Sequence, residues 1–203
     1  MSAPRHTTTL AAFLLGLAML LSGCSGEKPH WNGKDISGVM PDLEFRLRSV
    51  QGDTVTPGDS AGQVRILFFG YTSCPDVCPT TLAYLHQVLE KMPAEARDDV
   101  TALFISVDPK RDTPERLGSY VSYFDSHIVG LTGSEDTLRK LAKRYRTTFG
   151  YGDADNDGNY AVSHSSAIYV FDGKGRIRLL LKQDMPQQQA AEDLTRLARQ
   201  DLS

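Results

Sequence analysis

Two apolar runs of strand length, VRILFFG at residues 64–70 and LFISV at residues 103–107, dominate the hydrophobic pattern of the chain. A nearly continuous apolar run of this length is typical of a strand buried on both faces of a sheet. Between the two runs, apolar residues recur at helical spacing at positions 82, 85, 89 and 92, and Pro93 ends that segment. This alternation of buried strands and helices predicts an α/β sheet covered on both faces.

Capping signals predict three further helices. Thr113 followed by Pro114 opens one of them, because threonine is a favoured cap and proline fits the first helical position. A second helix follows Ser134, with acidic residues early and basic residues late, as the helix dipole favours. The last helix opens at Pro186 and carries apolar residues at positions 190, 194 and 197.

Two hairpins complete the predicted architecture. Near the N-terminus, apolar residues at positions 43, 45 and 47 alternate with charged ones and precede a turn at residues 51–53. In the second half, residues 167–172 and 176–181 flank a Gly-Lys-Gly turn. The predicted order is therefore hairpin, strand, helix, strand, helix, helix, hairpin, helix.

The N-terminal apolar run is too short to span a membrane. It covers residues 10–21 and follows Arg5, whereas a spanning helix needs about 20 apolar residues. We therefore predict a secretory signal over residues 1–23. The following LSGC at residues 21–24 resembles the lipobox of bacterial lipoproteins, which implies lipidation of Cys24. An ordinary cleaved signal and an uncleaved anchor are the alternatives.

A lipid anchor would tether the protein to a membrane of the bacterial cell envelope without spanning it, with the folded domain in the oxidising periplasm. On this interpretation, residues 24–35 are a lipidated N-terminus and linker, and residues 36–203 form one domain. The length of 203 residues fits a single buried core. The net charge of −3 gives no basic surface that would indicate nucleic-acid binding.

Once Cys24 is assigned to the lipobox, the remaining cysteines, Cys74 and Cys78, form a pair directly after the first buried strand. Pro79 fits the first turn of the next helix, which places Cys78 at the helix start and Cys74 in the preceding loop. The helix dipole favours a thiolate there, so at least one thiol should be reactive. A cysteine pair in this position is typical of a thioredoxin-like fold.

Two close thiolates can form a redox-active disulfide or hold a soft metal such as copper(I), zinc or an iron–sulfur cluster. Structural zinc needs four protein ligands and a cluster usually four cysteines, which this pair does not supply. Copper accepts two thiolates and one imidazole. The candidate imidazoles beyond the signal are His30, His86, His127 and His164. His164 precedes the strand expected beside the cysteine loop, so it is the favoured third ligand.

Two acidic loops have simpler interpretations. Residues 153–158 match the first half of a calcium-binding EF-hand loop, but its twelfth position would be His164 where a glutamate is required. We therefore expect a turn there. Residues 108–112, between a strand and a helix, are interpreted as a turn with a helix cap.

The stretch FFGYTSCPDVCPTTL at residues 68–82 is similar to the signature of the SCO/SenC family of copper-binding assembly proteins. Residues 106–114, 130–133 and 160–165 (SVDPKRDTP, GLTG and YAVSHS) agree with the same family. The resemblance implies a thioredoxin-like fold, with a central mixed sheet flanked by helices and an N-terminal hairpin extension. It also implies one copper ion, Cu(I) or Cu(II), held by Cys74, Cys78 and His164.

The function that the resemblance implies is that of a monomeric metallochaperone, not an enzyme. Its partners would be subunit II of cytochrome c oxidase, whose dinuclear copper centre it helps to assemble, and other copper carriers. The runner-up is a thiol–disulfide oxidoreductase that keeps client cysteines reduced through Cys74 and Cys78. Thioredoxins carry a proline before the facing strand, and the His164 segment has none, which favours copper. A purely structural disulfide is the remaining alternative.

One position departs from the family pattern. Family members often carry aspartate directly before the histidine, and this chain has Ser163. The missing carboxylate would change partner docking or the tuning of the histidine, and it leaves the implied ligand set intact.

Overall fold

A computed structural model describes residues 30–156 and 159–201 of the chain. The strands are β1 (Lys34–Asp35), β2 (Leu47–Ser49), β3 (Thr54–Val55), β4 (Val64–Gly70), β5 (Val100–Ser106), β6 (Ile128–Thr132), β7 (Gly150–Tyr151), β8 (Val162–Ser163), β9 (Ile168–Phe171) and β10 (Ile177–Leu181). The helices are α1 (Val77–Glu90), α2 (Ala94–Arg97), α3 (Pro114–Phe124), α4 (Glu135–Arg144) and α5 (Gln187–Asp201), with a short 3-10 turn at Pro57–Ser60.

Eight strands form one mixed sheet in the order β1-β10-β9-β4-β5-β6-β2-β3, while β7 and β8 pair separately. The central strand β4 runs parallel to β5 and antiparallel to β9, and every one of its residues is buried. Its full burial confirms the interpretation of the first apolar run. Helices flank the sheet, and α5 buries Ala190, Leu194 and Leu197 as its spacing predicts.

The predicted caps and hairpins are present with shifted boundaries. The Thr113 and Ser134 hydroxyls each accept a backbone N–H at the start of α3 and α4. The N-terminal hairpin is β2–β3, which adds to the sheet edge beside β6. Four strands were not predicted: β6 is short and glycine-containing, and β1, β7 and β8 have only two residues each.

Residues from Trp31 onward form one compact unit. Strand β1, which lies inside the segment predicted as linker, pairs with β10. The domain boundary at residue 36 stays a prediction. The signal over residues 1–23 and the lipidation site Cys24 lie outside the described residues. Within residues 30–156 and 159–201, no helix is long and apolar enough to cross a membrane.

Candidate metal centre

Strand β4 delivers the cysteine loop to one end of the sheet. At its last residue, Gly70, an added Cβ would lie 2.5 Å from a ring carbon of Phe104 and 2.8 Å from the Cys78 Sγ, so only glycine fits without a shift. The chain then turns, and the Cys74 N–H donates to the Tyr71 carbonyl over 3.3 Å. Cys78 lies in the first turn of α1, with its N–H 3.4 Å from the Cys74 Sγ. This placement at the helix start matches the sequence prediction.

Strand β8 brings His164 to the same place from the far end of the chain. Its Nε2 lies 3.3 Å from the Cys78 Sγ and 3.8 Å from the Cys74 Sγ. All three residues singled out from the sequence therefore come together, and they form a group with the composition and spacing to hold a metal ion. Both cysteines are free thiols, Cys78 fully buried and Cys74 half-buried.

The hydrogen bond at the other ring nitrogen fixes the orientation of His164. Its Nδ1 lies 3.0 Å from the Ser165 carbonyl oxygen, which can only accept a hydrogen bond, so Nδ1 carries the proton. Nε2 then presents its lone pair to the two sulfurs, as in metal-ligating histidines whose other nitrogen bonds a carbonyl. The ring also packs edge-on against Phe68 and Tyr71, with centroids 6.0 and 5.7 Å away.

Burial sets the charge of the three side chains. It lowers the pKa of His164, against hydrogen bonds with the Ser165 and Phe69 backbone that raise it, so the imidazole is neutral at pH 7. Burial also raises the pKa of the Cys78 thiol; a hydrogen bond with the Tyr71 backbone opposes this and the charges of Cys74 and Asp112 add to it. At Cys78, desolvation thus works against the thiolate that a helix start favours, and the reactivity of at least one of the two thiols stays a prediction.

Two sulfurs and one imidazole nitrogen in an apolar surrounding are a soft donor set. Copper prefers such ligands, and the Cys74–Cys78–His164 group could bind it. The half-buried Cys74 is the sulfur that an approaching ligand can reach, whereas Cys78 is 0% exposed.

The remaining predicted candidates lie elsewhere. His86 and His127 each place Nδ1 2.8 Å from a different oxygen of Asp125. His86, Glu90 and Asp125 are close enough together to form a second potential metal group, but Glu90 also pairs with Arg97 over 2.8 Å. His30 lies at the first described position of the chain.

The acidic loop before His164 is held as a turn where the structure describes it. The Asp155 N–H donates to the Asn159 carbonyl, and the Asn159 N–H donates to the Asp155 carboxylate, both over 2.8 Å. Residues 157 and 158 lie outside the described part, and His164, which the EF-hand spacing would require as glutamate, faces the sulfurs instead.

Asp108 and Asp112 were missed as residues that support the site. The sequence interpretation assigned them to an ordinary turn, but they are 0% and 1% exposed. Asp112 accepts a hydrogen bond from Thr72, close to Cys74, and Asp108 accepts one from Tyr160, close to His164. A topological signal for this exists, because β4 and β5 are parallel and their following loops must emerge side by side at the same sheet edge.

Comparison with known proteins gives one family. A family model described as SCO1/SenC matches residues 39–199. A Stutzerimonas stutzeri protein named for copper binding is 41% identical over 127 residues, which are 61% of this chain and 62% of that protein. The match thus spans less than two thirds of that relative's length.

Solved structures agree in fold. Bradyrhizobium japonicum ScoI with copper bound is 38% identical with a TM-score of 0.70, over 77% of this chain and 98% of that chain. A SCO1/SenC family lipoprotein from Bacillus anthracis str. Ames is 28% identical with a TM-score of 0.67, over 83% of this chain and 99% of that chain. These likenesses confirm the predicted thioredoxin-like fold with a central mixed sheet flanked by helices.

Proposed function

The chain belongs to the SCO1/SenC family of copper-binding proteins, and we propose that it is a membrane-tethered copper chaperone. In this proposal one copper ion is its cargo, with Cys74, Cys78 and His164 as ligands. The observation that carries it is the position of the His164 Nε2, 3.3 and 3.8 Å from two free sulfurs, with the proton held on Nδ1.

The chemistry of loading follows from the ligand states. Cys78 holds its proton in the absence of metal, so copper must displace it, while the neutral imidazole binds without losing a proton. Two thiolates and a neutral imidazole give a site of charge −1 with Cu(I) and zero with Cu(II). The half-buried Cys74 is the ligand at which an incoming donor or acceptor exchanges first.

The partner and location are parts of the same proposal. The client is subunit II of cytochrome c oxidase, whose dinuclear copper centre receives the ion, and other copper carriers would supply it. Lipidation of Cys24 would hold the monomeric protein on a membrane of the bacterial cell envelope, with the domain in the periplasm. The lipobox-like LSGC and the lipoprotein relative from Bacillus anthracis support this.

A second candidate function uses the same sulfurs without metal. The two free thiols are adjacent, with Cys74 reachable and Cys78 directly behind it. In disulfide exchange, the Cys74 thiolate attacks a client disulfide and Cys78 then displaces the client sulfur. The client gains two electrons and two protons, and the pair becomes a disulfide.

The test is anaerobic copper(I) titration of the full chain in detergent, against a competing chelator, followed by absorption spectroscopy of the copper(II) form. We expect one equivalent to bind, and His164→Ala to lower the affinity and change the spectrum. His127→Ala, which alters a histidine away from the sulfurs, is the control and should match the wild type. An unchanged affinity and spectrum in His164→Ala would refute the three-ligand site. Turnover of a model disulfide without any copper binding would favour the oxidoreductase.

A further inference from the structure

The loop between β5 and α3, here called the clamp loop (residues 107–113), contacts both halves of the proposed copper site. Its two carboxylates, Asp108 and Asp112, are 0% and 1% exposed. Buried carboxylates are costly unless their oxygens are fully hydrogen-bonded, so their partners indicate what they are for.

Asp112 holds the cysteine half of the site, which is the loop that carries Cys74 and the start of α1 with Cys78. Its Oδ2 accepts the Thr72 backbone N–H over 3.0 Å, and its Oδ1 accepts the Thr72 hydroxyl over 2.6 Å. A third donor, the Ser106 hydroxyl at the end of β5, lies 2.6 Å from Oδ2. The carboxylate thus joins the last residue of a central strand to a loop position two residues before Cys74.

Arg116, in the first turn of α3, continues this connection. Its Nε donates to the Thr72 hydroxyl oxygen over 2.7 Å, and its Nη2 donates to the Ser73 hydroxyl over 2.9 Å. Thr72 therefore accepts from Arg116 while it donates to Asp112, which fixes the direction of its hydroxyl. The two residues directly before Cys74 are both tied to the region that follows β5.

Asp108 and Arg111 hold the histidine half of the site, which is the segment from Tyr160 to His164. The Arg111 Nε donates to Asp108 over 2.5 Å, and the Tyr160 hydroxyl donates to the other Asp108 oxygen over 2.7 Å. Arg111 also donates through Nη1 to the Tyr160 carbonyl over 2.9 Å, and its guanidinium lies 3.7 Å from the centre of the Tyr160 ring. Tyr160 is thereby fixed four residues before His164.

The two halves of the clamp loop are one unit. The Ser106 hydroxyl, which donates to Asp112, accepts the Asp108 N–H over 3.2 Å. The Asp112 N–H donates to the Asp108 carbonyl over 3.0 Å. A shift of one carboxylate therefore disturbs the support of the other.

We propose that Asp108 and Asp112 are positioning residues that set the distance between the cysteine sulfurs and the His164 imidazole before copper arrives. The inference rests on the proposed copper function. Both ligand-bearing segments outside α1 are loops or two-residue strands, so without the clamp loop they would have to be ordered when copper binds.

The carboxylate at position 112 accepts hydrogen bonds from all of its neighbours. All three donors around Asp112 point at its oxygens, and a carboxylate accepts all of them. An amide in Asp112→Asn supplies one oxygen and places an NH₂ group against a donor. The substitution keeps the shape of the side chain, and it either breaks a bond to Thr72 or Ser106 or forces a hydroxyl to turn from donor to acceptor.

The experiment measures copper(I) affinity and the copper(II) absorption spectrum of the full chain in detergent. We expect Asp112→Asn to lower the affinity about 10- to 100-fold, the range typical of partners that orient metal ligands, and to shift the spectrum. Thr72→Val, which removes a single hydroxyl, should act in the same direction. Thr72→Ser, which keeps that hydroxyl, should restore the affinity and spectrum. Asp108→Asn should weaken binding through the histidine half.

The matched control is Asp193→Asn. Asp193 is also a fully buried carboxylate, and it accepts the backbone N–H groups of Asn32 and Gly33 without contacting the clamp loop. It should lower thermal stability while the copper spectrum stays that of the wild type. A merely structural role for Asp112 would give the same result as this control.

The outcomes separate the two proposals. A wild-type chain that binds no copper refutes the proposed function itself. A wild type that binds copper and loses affinity in His164→Ala, but not in Asp112→Asn or Thr72→Val, refutes the clamp alone. If Asp112→Asn does not fold, the Thr72→Val and Thr72→Ser pair decides, because an equal affinity in both would overturn the inference.

Discussion

The cysteine half of the site is held more firmly by the surrounding structure than the histidine half. Cys78 is fully buried in a 14-residue helix, and the loop that carries Cys74 is hydrogen-bonded to Asp112 and Arg116. His164 follows a strand of two residues, whose exposed Ser163 bonds the Gly150 carbonyl over 3.3 Å. The cysteine half is part of the folded core. The histidine half, here called the histidine arm, is a short segment that lies beside it.

This difference separates what each ligand contributes. Substitutions on the cysteine half should disturb both folding and copper binding, because Cys78 is part of the hydrophobic core and Cys74 packs against it. Substitutions on the histidine arm should disturb binding with little effect on folding, because the imidazole is half-buried and its Nδ1 bonds the adjacent residue.

The largest effect is expected for Cys78→Ala. It removes a proposed ligand and leaves a void beside Gly70 and Phe104, where the sulfur packs. Copper affinity should fall by more than about 100-fold, the upper end of what outer partners of metal ligands contribute. Unfolding free energy should fall by about 1 kcal/mol. Chelator competition and urea unfolding measure the two effects, and wild-type affinity would remove Cys78 from the ligand set.

His164→Ala should separate binding from folding. We expect copper affinity to fall at least about tenfold, while the unfolding free energy of the metal-free protein changes by no more than about 0.5 kcal/mol. The same titration and unfolding experiments apply. If this variant is destabilised more than Cys78→Ala, the contrast between the two halves is wrong.

Gly70→Ala tests the close packing on the cysteine half. The added Cβ would lie under 3.0 Å from both Phe104 and the Cys78 Sγ, so the unfolding free energy should fall by about 1–3 kcal/mol. Gly118→Ala in α3 is the control, since its Cβ would meet Val50 at an ordinary 3.6 Å. The control should raise stability by up to about 1 kcal/mol. Equal stability of the two variants in urea would contradict the packing argument.

The pH dependence of copper binding should belong to the cysteine half. Burial raises the pKa of Cys78, so its proton is present in the metal-free protein and is released on binding. Affinity should therefore rise about tenfold per pH unit for each proton released. Burial lowers the pKa of His164, which leaves no imidazole proton to release above pH 7.

Titrations between about pH 7 and 8 can assign this proton. His164→Ala should keep the slope of affinity against pH, and Cys78→Ser should reduce it by about one proton. A slope that disappears in His164→Ala would transfer the pH dependence to the histidine arm and reverse the comparison.

The sequence predicted the parts of the fold that a local pattern marks. Largely apolar runs identified β4 and β5, Thr113 and Ser134 marked two helix starts, and a Gly-Lys-Gly turn marked the β9–β10 hairpin. Strands β1 and β6 escaped because two exposed residues, or a glycine in a five-residue run, form strands only through pairing with neighbours.

The site was predictable to a similar extent. Cys74 and Cys78 stand out by spacing. The place of His164 before an expected strand, together with the family resemblance, pointed to the third ligand, which the fold places at the sulfurs. The support by Asp108 and Asp112 was hidden, because nothing local distinguishes a buried carboxylate from a turn residue. Only the parallel register of β4 and β5 brings the clamp loop to Thr72.

The smallest effect is expected where this chain departs from its family. Ser163 is exposed, and its hydroxyl bonds the Gly150 carbonyl rather than His164, whose Nδ1 is already satisfied by Ser165. Ser163→Asp should therefore change copper affinity by no more than about twofold, as is usual for surface positions. Chelator competition on this variant and the wild type measures it. A tenfold change would mean that position 163 tunes the imidazole in addition to its backbone partners Ser165 and Phe69.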